Sequence, residues 1–169
     1  MKVLDRLFID FHRCMMRIST GCPVPNLFWL CGTYLPEVLI IQRKLNFLFH
    51  LANLPVGSLG RELYNRQESS PQLPSLINEM KDHIDKMGVT CLSDYTKGIW
   101  KQKVRKYTTE LNKTRLIEMS KKYKKINHEE MAQEPFGRKP FFDNMKLEDV
   151  RYRFRIANGL VQGIRKKLF

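Results

Sequence analysis

The chain has no C-x-x-C pair, no period-2 alternation of apolar and polar residues and no internal repeat. Its four cysteines, Cys14, Cys22, Cys31 and Cys91, lack the closely spaced turns and the histidine partners that a zinc site requires, so reduced thiols are expected. The longest uncharged run, residues 18–36, is broken by Gly21, Pro23, Pro25, Gly32 and Pro36 and cannot span a bilayer as a helix. The first eighteen residues interleave Lys2, Asp5, Arg6, Asp10, Arg13 and Arg17 with apolar residues, which excludes the uncharged core of a secretory leader. The expected setting is therefore intracellular, cytoplasmic or nuclear.

Catalytic signatures are missing too. None of the G-x-S-x-G, G-x-x-x-x-G-K-[ST], G-x-G-x-x-G or H-E-x-x-H patterns occurs. Metal-dependent phosphoryl transfer needs carboxylates that converge on two cations about 4 Å apart. Asp82 with Asp85, Glu129 with Glu130, and Glu148 with Asp149 read instead as solvated or first-turn charge. His50 and His83 read as packed or surface histidines rather than bases. No enzyme, cofactor, metal or small-molecule substrate is expected.

Acid is the scarcest component relative to its counterpart. Among 169 residues, 17 Asp and Glu face 30 Lys and Arg, a net charge of +13. The excess is lopsided: residues 1–90 carry 10 basic and 8 acidic side chains, residues 91–169 carry 20 and 9. Such a balance points to a polyanionic partner for the second half and a core-forming role for the first.

The apolar residues recur with helical spacing. Val3, Leu7, Phe8, Phe11, Met15 and Ile18 mark a first helix, ending at Ser19-Thr20-Gly21, with an extended loop after Cys22 because of Pro23 and Pro25. A second starts near Pro36 and runs through Leu45 and Phe49 to Asn53. Ser58 is placed to cap a short helix carrying Leu59 and Leu63. Leu73, Leu76, Ile77, Met80, Ile84 and Met87 form a stripe that Gly88 ends. Ser93 or Asp94 should cap the next helix, whose stripe is Trp100, Val104, Tyr107 and Leu111, continued by Leu116, Met119 and Tyr123. Residues 128–142 read as irregular, and a last helix from about Asn144 carries Leu147, Val150, Phe154 and Ala157. The expected class is all-α, an irregular bundle of six or seven helices.

Residues 95–128 hold eleven basic side chains and two acids, Glu110 and Glu118. On the helix beginning near Tyr95, Lys97, Lys101, Lys103, Arg105 and Lys106 surround the apolar stripe with no acid before Glu110, and Lys97, Lys101 and Arg105 are the candidate contacts among them. Lys121, Lys122, Lys124 and Lys125 surround Tyr123, and Arg151, Arg153 and Arg155 alternate with Tyr152 and Phe154. Phosphate neutralisation beside stacking rings is the usual grip on nucleic acid, so these residues are the expected contacts to RNA or DNA. Trp100 reads as core, and Tyr123 and Phe154 read as core before stacking platform.

Several segments, taken in order, carry a resemblance. They are Thr20-Gly21-Cys22-Pro23 with residues 28–32, Arg43-Lys44-Leu45-Asn46-Phe47-Leu48-Phe49-His50-Leu51-Ala52-Asn53-Leu54-Pro55, Ser58-Leu59, Glu62-Leu63-Tyr64-Asn65-Arg66-Gln67, Pro74-Ser75-Leu76-Ile77-Asn78-Glu79, Ser93-Asp94-Tyr95-Thr96-Lys97-Gly98-Ile99-Trp100-Lys101, the Met119–Ile126 stretch, and Leu147-Glu148-Asp149-Val150-Arg151-Tyr152-Arg153-Phe154-Arg155. The ordered set, over roughly residues 1–158, resembles the region that follows the polymerase core in non-LTR (LINE-type) retrotransposon polyproteins. The resemblance implies that residues 1–54 correspond to the helical thumb and its exit, and residues 55–169 to a basic helical linker leading toward a Cys/His zinc motif. The polymerase with its paired aspartates would lie before Met1 and the zinc motif beyond Phe169. The expectation is a fragment with no catalytic residue to carry over, with RNA or DNA, and the parent polymerase domain, as partners. A helical protein-interaction piece, with Phe8, Phe11, Leu45 and Phe49 exposed, is the alternative, as is a degenerate element copy. A membrane partner is not expected, since no lipidation motif accompanies the basic helices.

Overall fold

The computed structural model describes residues 2–16, 22–70, 75–123 and Phe136. Among them are six α-helices, one 3-10 turn and no strand, so the chain is all-α. The described residues of Met1–Pro36 and Asn112–Phe169 form one compact unit, and those of Glu37–Leu111 form the other.

In the first unit, α1 (Lys2–Met16) and α2 (Val24–Cys31) pack through aromatic rings. The His12 ring lies 4.6 Å from that of Phe8 and 5.3 Å from that of Phe28, centroid to centroid. Its Nδ1 is 2.8 Å from the Phe8 carbonyl oxygen, which accepts. The predicted stop of α1 at residues 19–21 lies outside the described residues.

The extended loop expected after Cys22 is instead α2, which begins at Val24. Pro23 is extended, with ψ 132°, and Pro25 sits in the first turn, where a missing N–H costs no intrahelical bond. Leu27, Phe28 and Trp29 are all buried, so no polar face marks a 3.6-residue period. The helix ends at Gly32, whose φ of 61° is left-handed, with the Thr33 N–H donating to the Phe28 carbonyl at 3.1 Å. Downstream, the Leu35 N–H donates to Asn112 Oδ1 at 2.8 Å, and the Phe136 ring meets Trp29 and Tyr34 edge-on, each at 5.5 Å.

The second unit is built on α3 (Pro36–Ala52), α4 (Leu59–Ser69), α5 (Leu76–Lys86) and the start of α6 (Lys97–Ser120). Its core joins Leu45, Leu48, Phe49 and Ala52 of α3 to Tyr64, Met80, Met87, Val89, Leu92, Trp100 and Val104. Ser58 caps α4 as its spacing predicts, its Oγ accepting from the Arg61 N–H at 3.4 Å. Ser75 does the same for α5, accepting from the Asn78 N–H at 3.2 Å. Gly88 terminates α5 in the left-handed region, φ 63°. Its N–H donates to Asp85 at 2.9 Å while Val89 N–H reaches back to Ile84 at 3.3 Å, a Schellman pair. Lys44 on α3 and Glu79 on α5 form an ion pair.

Two expectations for α6 need correction. Ser93 and Asp94 do not cap it; they belong to a 3-10 turn, Leu92–Asp94, and Thr96 Oγ1 accepts from the Ile99 N–H at 3.5 Å. Nor does the deepest burial follow Trp100, Val104, Tyr107 and Leu111. It follows a strict i, i+4 row of Trp100, Val104, Thr108, Asn112, Leu116 and Ser120, each at most 1% exposed. At 3.6 residues per turn that row rotates about 40° per step, so the side buried at Trp100 is not the side buried at Leu116. Thr108 and Ser120 survive in it because their hydroxyls donate to the helix's own carbonyls, at Val104 (2.8 Å) and Ile117 (2.7 Å). Asn112 serves Leu35.

Candidate nucleic-acid interface

The first ten residues of α6 hold five cations and no acid, whereas residues 37–96 carry six basic and seven acidic side chains. The positive excess of the second unit is therefore concentrated on one helix segment. Packing decides where it points. Trp100 stacks on Phe49 with ring centroids 5.1 Å apart and planes 10° from parallel, and Tyr107 meets His83 of α5. Those contacts hold one side of α6 inward and turn the opposite side to solvent.

Two adjacent i, i+4 rows make up that outer side. One is Lys97, Lys101 and Arg105, spanning about 12 Å at 1.5 Å per residue; all three are exposed. The other is Gly98, Gln102 and Lys106, also exposed. Of the five cations that the sequence places around the stripe, Lys97, Lys101, Arg105 and Lys106 are thus exposed together. None of the four makes an ion pair with another described residue. Lys103 leaves the set: its ammonium lies 4.9 Å from the Tyr95 ring centroid and 3.2 Å from the Tyr95 hydroxyl, to which it donates.

Lys121, Lys122 and Tyr123 follow the end of α6 in the first unit. Their backbone N–H groups continue the helical pattern, donating to Ile117 (3.2 Å), Met119 (3.3 Å) and Ser120 (2.9 Å). Their side chains are exposed, and Tyr123, read first as core, is 38% accessible. The ring sits past the helix, where the apolar stripe no longer has a surface to cover. Lys124, Lys125, Arg151, Arg153 and Arg155 lie outside the described residues, as do Phe154 and the helix expected from about Asn144.

Elsewhere the chemistry is quiet. Asp82 and Asp85 are exposed on α5. His83 Nδ1 is 2.6 Å from the Tyr107 hydroxyl. A cavity of about 290 Å³ opens between α4, α5 and the 3-10 turn, lined among others by Arg61, Tyr64, Glu68 and Lys81. Its Tyr64 hydroxyl donates to Glu68 Oε1 at 3.2 Å. Burial, followed by the Glu68 charge, pushes that phenol up to about 12, the reverse of an activated base. Cys14 and Cys91 are exposed free thiols, while burial pushes Cys22 and Cys31 up to about 11. Among the described residues no three His, Cys, Asp or Glu side chains are placed to share a metal ion, and no helix is long and apolar enough to cross a membrane.

No family model, no curated protein and no solved structure matches the chain.

Proposed function

We propose that the chain is a non-catalytic nucleic-acid-binding piece of a LINE-type reverse transcriptase, gripping RNA or DNA mainly through phosphates. The observation that carries the binding is the outer side of α6, where Lys97, Lys101, Arg105 and Lys106 stand exposed with no acid between them. Lysine and arginine contacts of this kind release counterions on binding and make affinity steeply salt-dependent. Phosphate contacts carry no base information, so recognition is by backbone and shape. The retrotransposon origin rests on the ordered segment resemblance alone.

Replacing Lys121, Lys122, Lys124 and Lys125 together by Ala tests the second cluster. The variant weakens binding by the same factor for unrelated sequences and flattens the salt dependence. Unchanged affinity would remove this cluster from the interface.

A second reading, a helical piece that docks on the parent polymerase domain, is favoured by one observation. Val3, Leu7, Phe11 and Met15 leave an apolar row of α1 between 51% and 74% exposed. That reading also needs Leu45 and Phe49 exposed, and both are buried in the second unit's core.

A further inference from the structure

The two outer rows of α6 differ from a single-strand grip in what they lack and in what they leave open. Proteins that hold single strands pair a cationic groove with rings on which bases stack. On this segment every ring is committed elsewhere: Trp100 to Phe49, Tyr107 to His83, and Tyr95 beneath the Lys103 ammonium. The exposed residues are Lys97, Gly98, Ile99, Lys101, Gln102, Arg105 and Lys106, with no aromatic among them. Cations fixed along a packed helix suit a partner whose charges are equally fixed and dense.

Gly98 is the second observation. It is the second residue of α6, its φ is not positive, and no described residue lies within 4 Å of the Cβ it lacks. It lies on the row beside Lys97 and Lys101, where its missing side chain lets an outside body approach the helix backbone closely.

We propose that the outer side of α6 is a docking surface for duplex nucleic acid, contacted through the phosphate backbone without base reading, with closest approach at Gly98. This rests on the nucleic-acid reading above and names the substrate form for that site. Duplexes present about one charge per 1.7 Å of axis, and Lys97, Lys101, Arg105 and Lys106 meet them as a rigid set, flanked by the Gln102 amide as a neutral donor.

The test uses the full chain and fluorescence anisotropy with a labelled duplex and one of its separated strands, across a salt series. Wild type should bind the duplex about tenfold more tightly than the strand. Lys101→Ala with Arg105→Ala should weaken duplex binding about tenfold and lower the salt slope by about two. Gly98→Leu changes no charge, and the Cβ it adds meets nothing within 4 Å; it should weaken duplex binding without lowering the thermal midpoint. Equal affinity of wild type for strand and duplex overturns the inference and leaves the binding function standing. So does duplex affinity unchanged in both variants. Binding to neither nucleic acid overturns the proposed function itself. Capture by phosphatidylserine vesicles in preference to duplex, lost in the double variant, would reassign the surface to lipid.

Discussion

Phe49 and Trp100 lie face to face, ring centroids 5.1 Å apart and planes 10° from parallel, and this stack joins α3 to the face of α6 opposite its cations. The exposed cationic surface is therefore a consequence of the core: what buries the indole turns Lys101 and Arg105 outward. Trp100→Ala should cost about 3–5 kcal/mol of stability, read by urea unfolding. Trp100→Phe should cost clearly less, because the indole N–H makes no hydrogen bond and a ring remains to stack. Equal losses for the two would contradict the packing account.

Asn112 is wholly buried on α6 and its Oδ1 accepts the Leu35 N–H at 2.8 Å. Asn112→Ala leaves that donor without an acceptor and should destabilise by about 1–3 kcal/mol. Thermal melting checks it, and an unchanged midpoint would mean Leu35 finds another partner.

The buried thiols give an alkaline signature. Burial raises Cys22 and Cys31 from 9.0 to about 11, with Arg13 opposing the shift at Cys22 and Cys22 adding to it at Cys31. A raised folded-state value favours the protonated thiol in the fold, so this contribution is complete below about 9.0 and is lost as pH climbs toward about 11. Unfolding measured across that window should show falling stability, reduced when both are replaced by Ala. At mildly alkaline pH, alkylation followed by mass spectrometry should label Cys14 and Cys91 before Cys22 and Cys31. Labelling of all four at one rate would contradict the burial.

The exposed apolar row of α1 and the buried ring of α2 should separate cleanly. Phe11→Ser removes an exposed ring and should change stability by no more than about 0.5 kcal/mol while reducing binding of a hydrophobic dye. Phe28→Ala empties a fully buried site and should cost about 3–5 kcal/mol. A large loss from Phe11→Ser would mean that this face is packed rather than open.

Amphipathic segments were legible in the sequence where the apolar stripe is the buried one: α3 and α5 follow their stripes, and Ser58 and Gly88 punctuate α4 and α5 through cap chemistry. The rows that mark α1 (Val3, Leu7, Phe11, Met15) and α4 (Leu59, Leu63) lie exposed instead, with His12 and Met16 buried on α1 and Tyr64 on α4. What escaped has a common cause. Helix α2 is apolar all round and opens on two prolines, so neither period nor start signal distinguishes it from a loop. The buried row of α6 contains Thr108, Asn112 and Ser120, which polarity assigns to the surface until their bonds to Val104, Leu35 and Ile117 are seen. Within the candidate interface, the acid-free run of Lys97, Lys101, Lys103, Arg105 and Lys106 was legible in the sequence, but not which of the five stay exposed. The loss of Lys103 to Tyr95 depends on a ring eight residues away that the helix itself does not contain. Gly98 carried no motif; only its empty surroundings make it informative.

The measurement that bears most directly on the central claim is the affinity of the wild-type chain for a labelled duplex as a function of salt. With Lys97, Lys101, Arg105 and Lys106 available, log affinity should fall with log salt with a slope of about −3 to −4, and with the same slope for unrelated sequences. A folded sample that does not bind at low salt, or binds with a slope near zero, would contradict it and leave the charge of α6 as a solvated helix face.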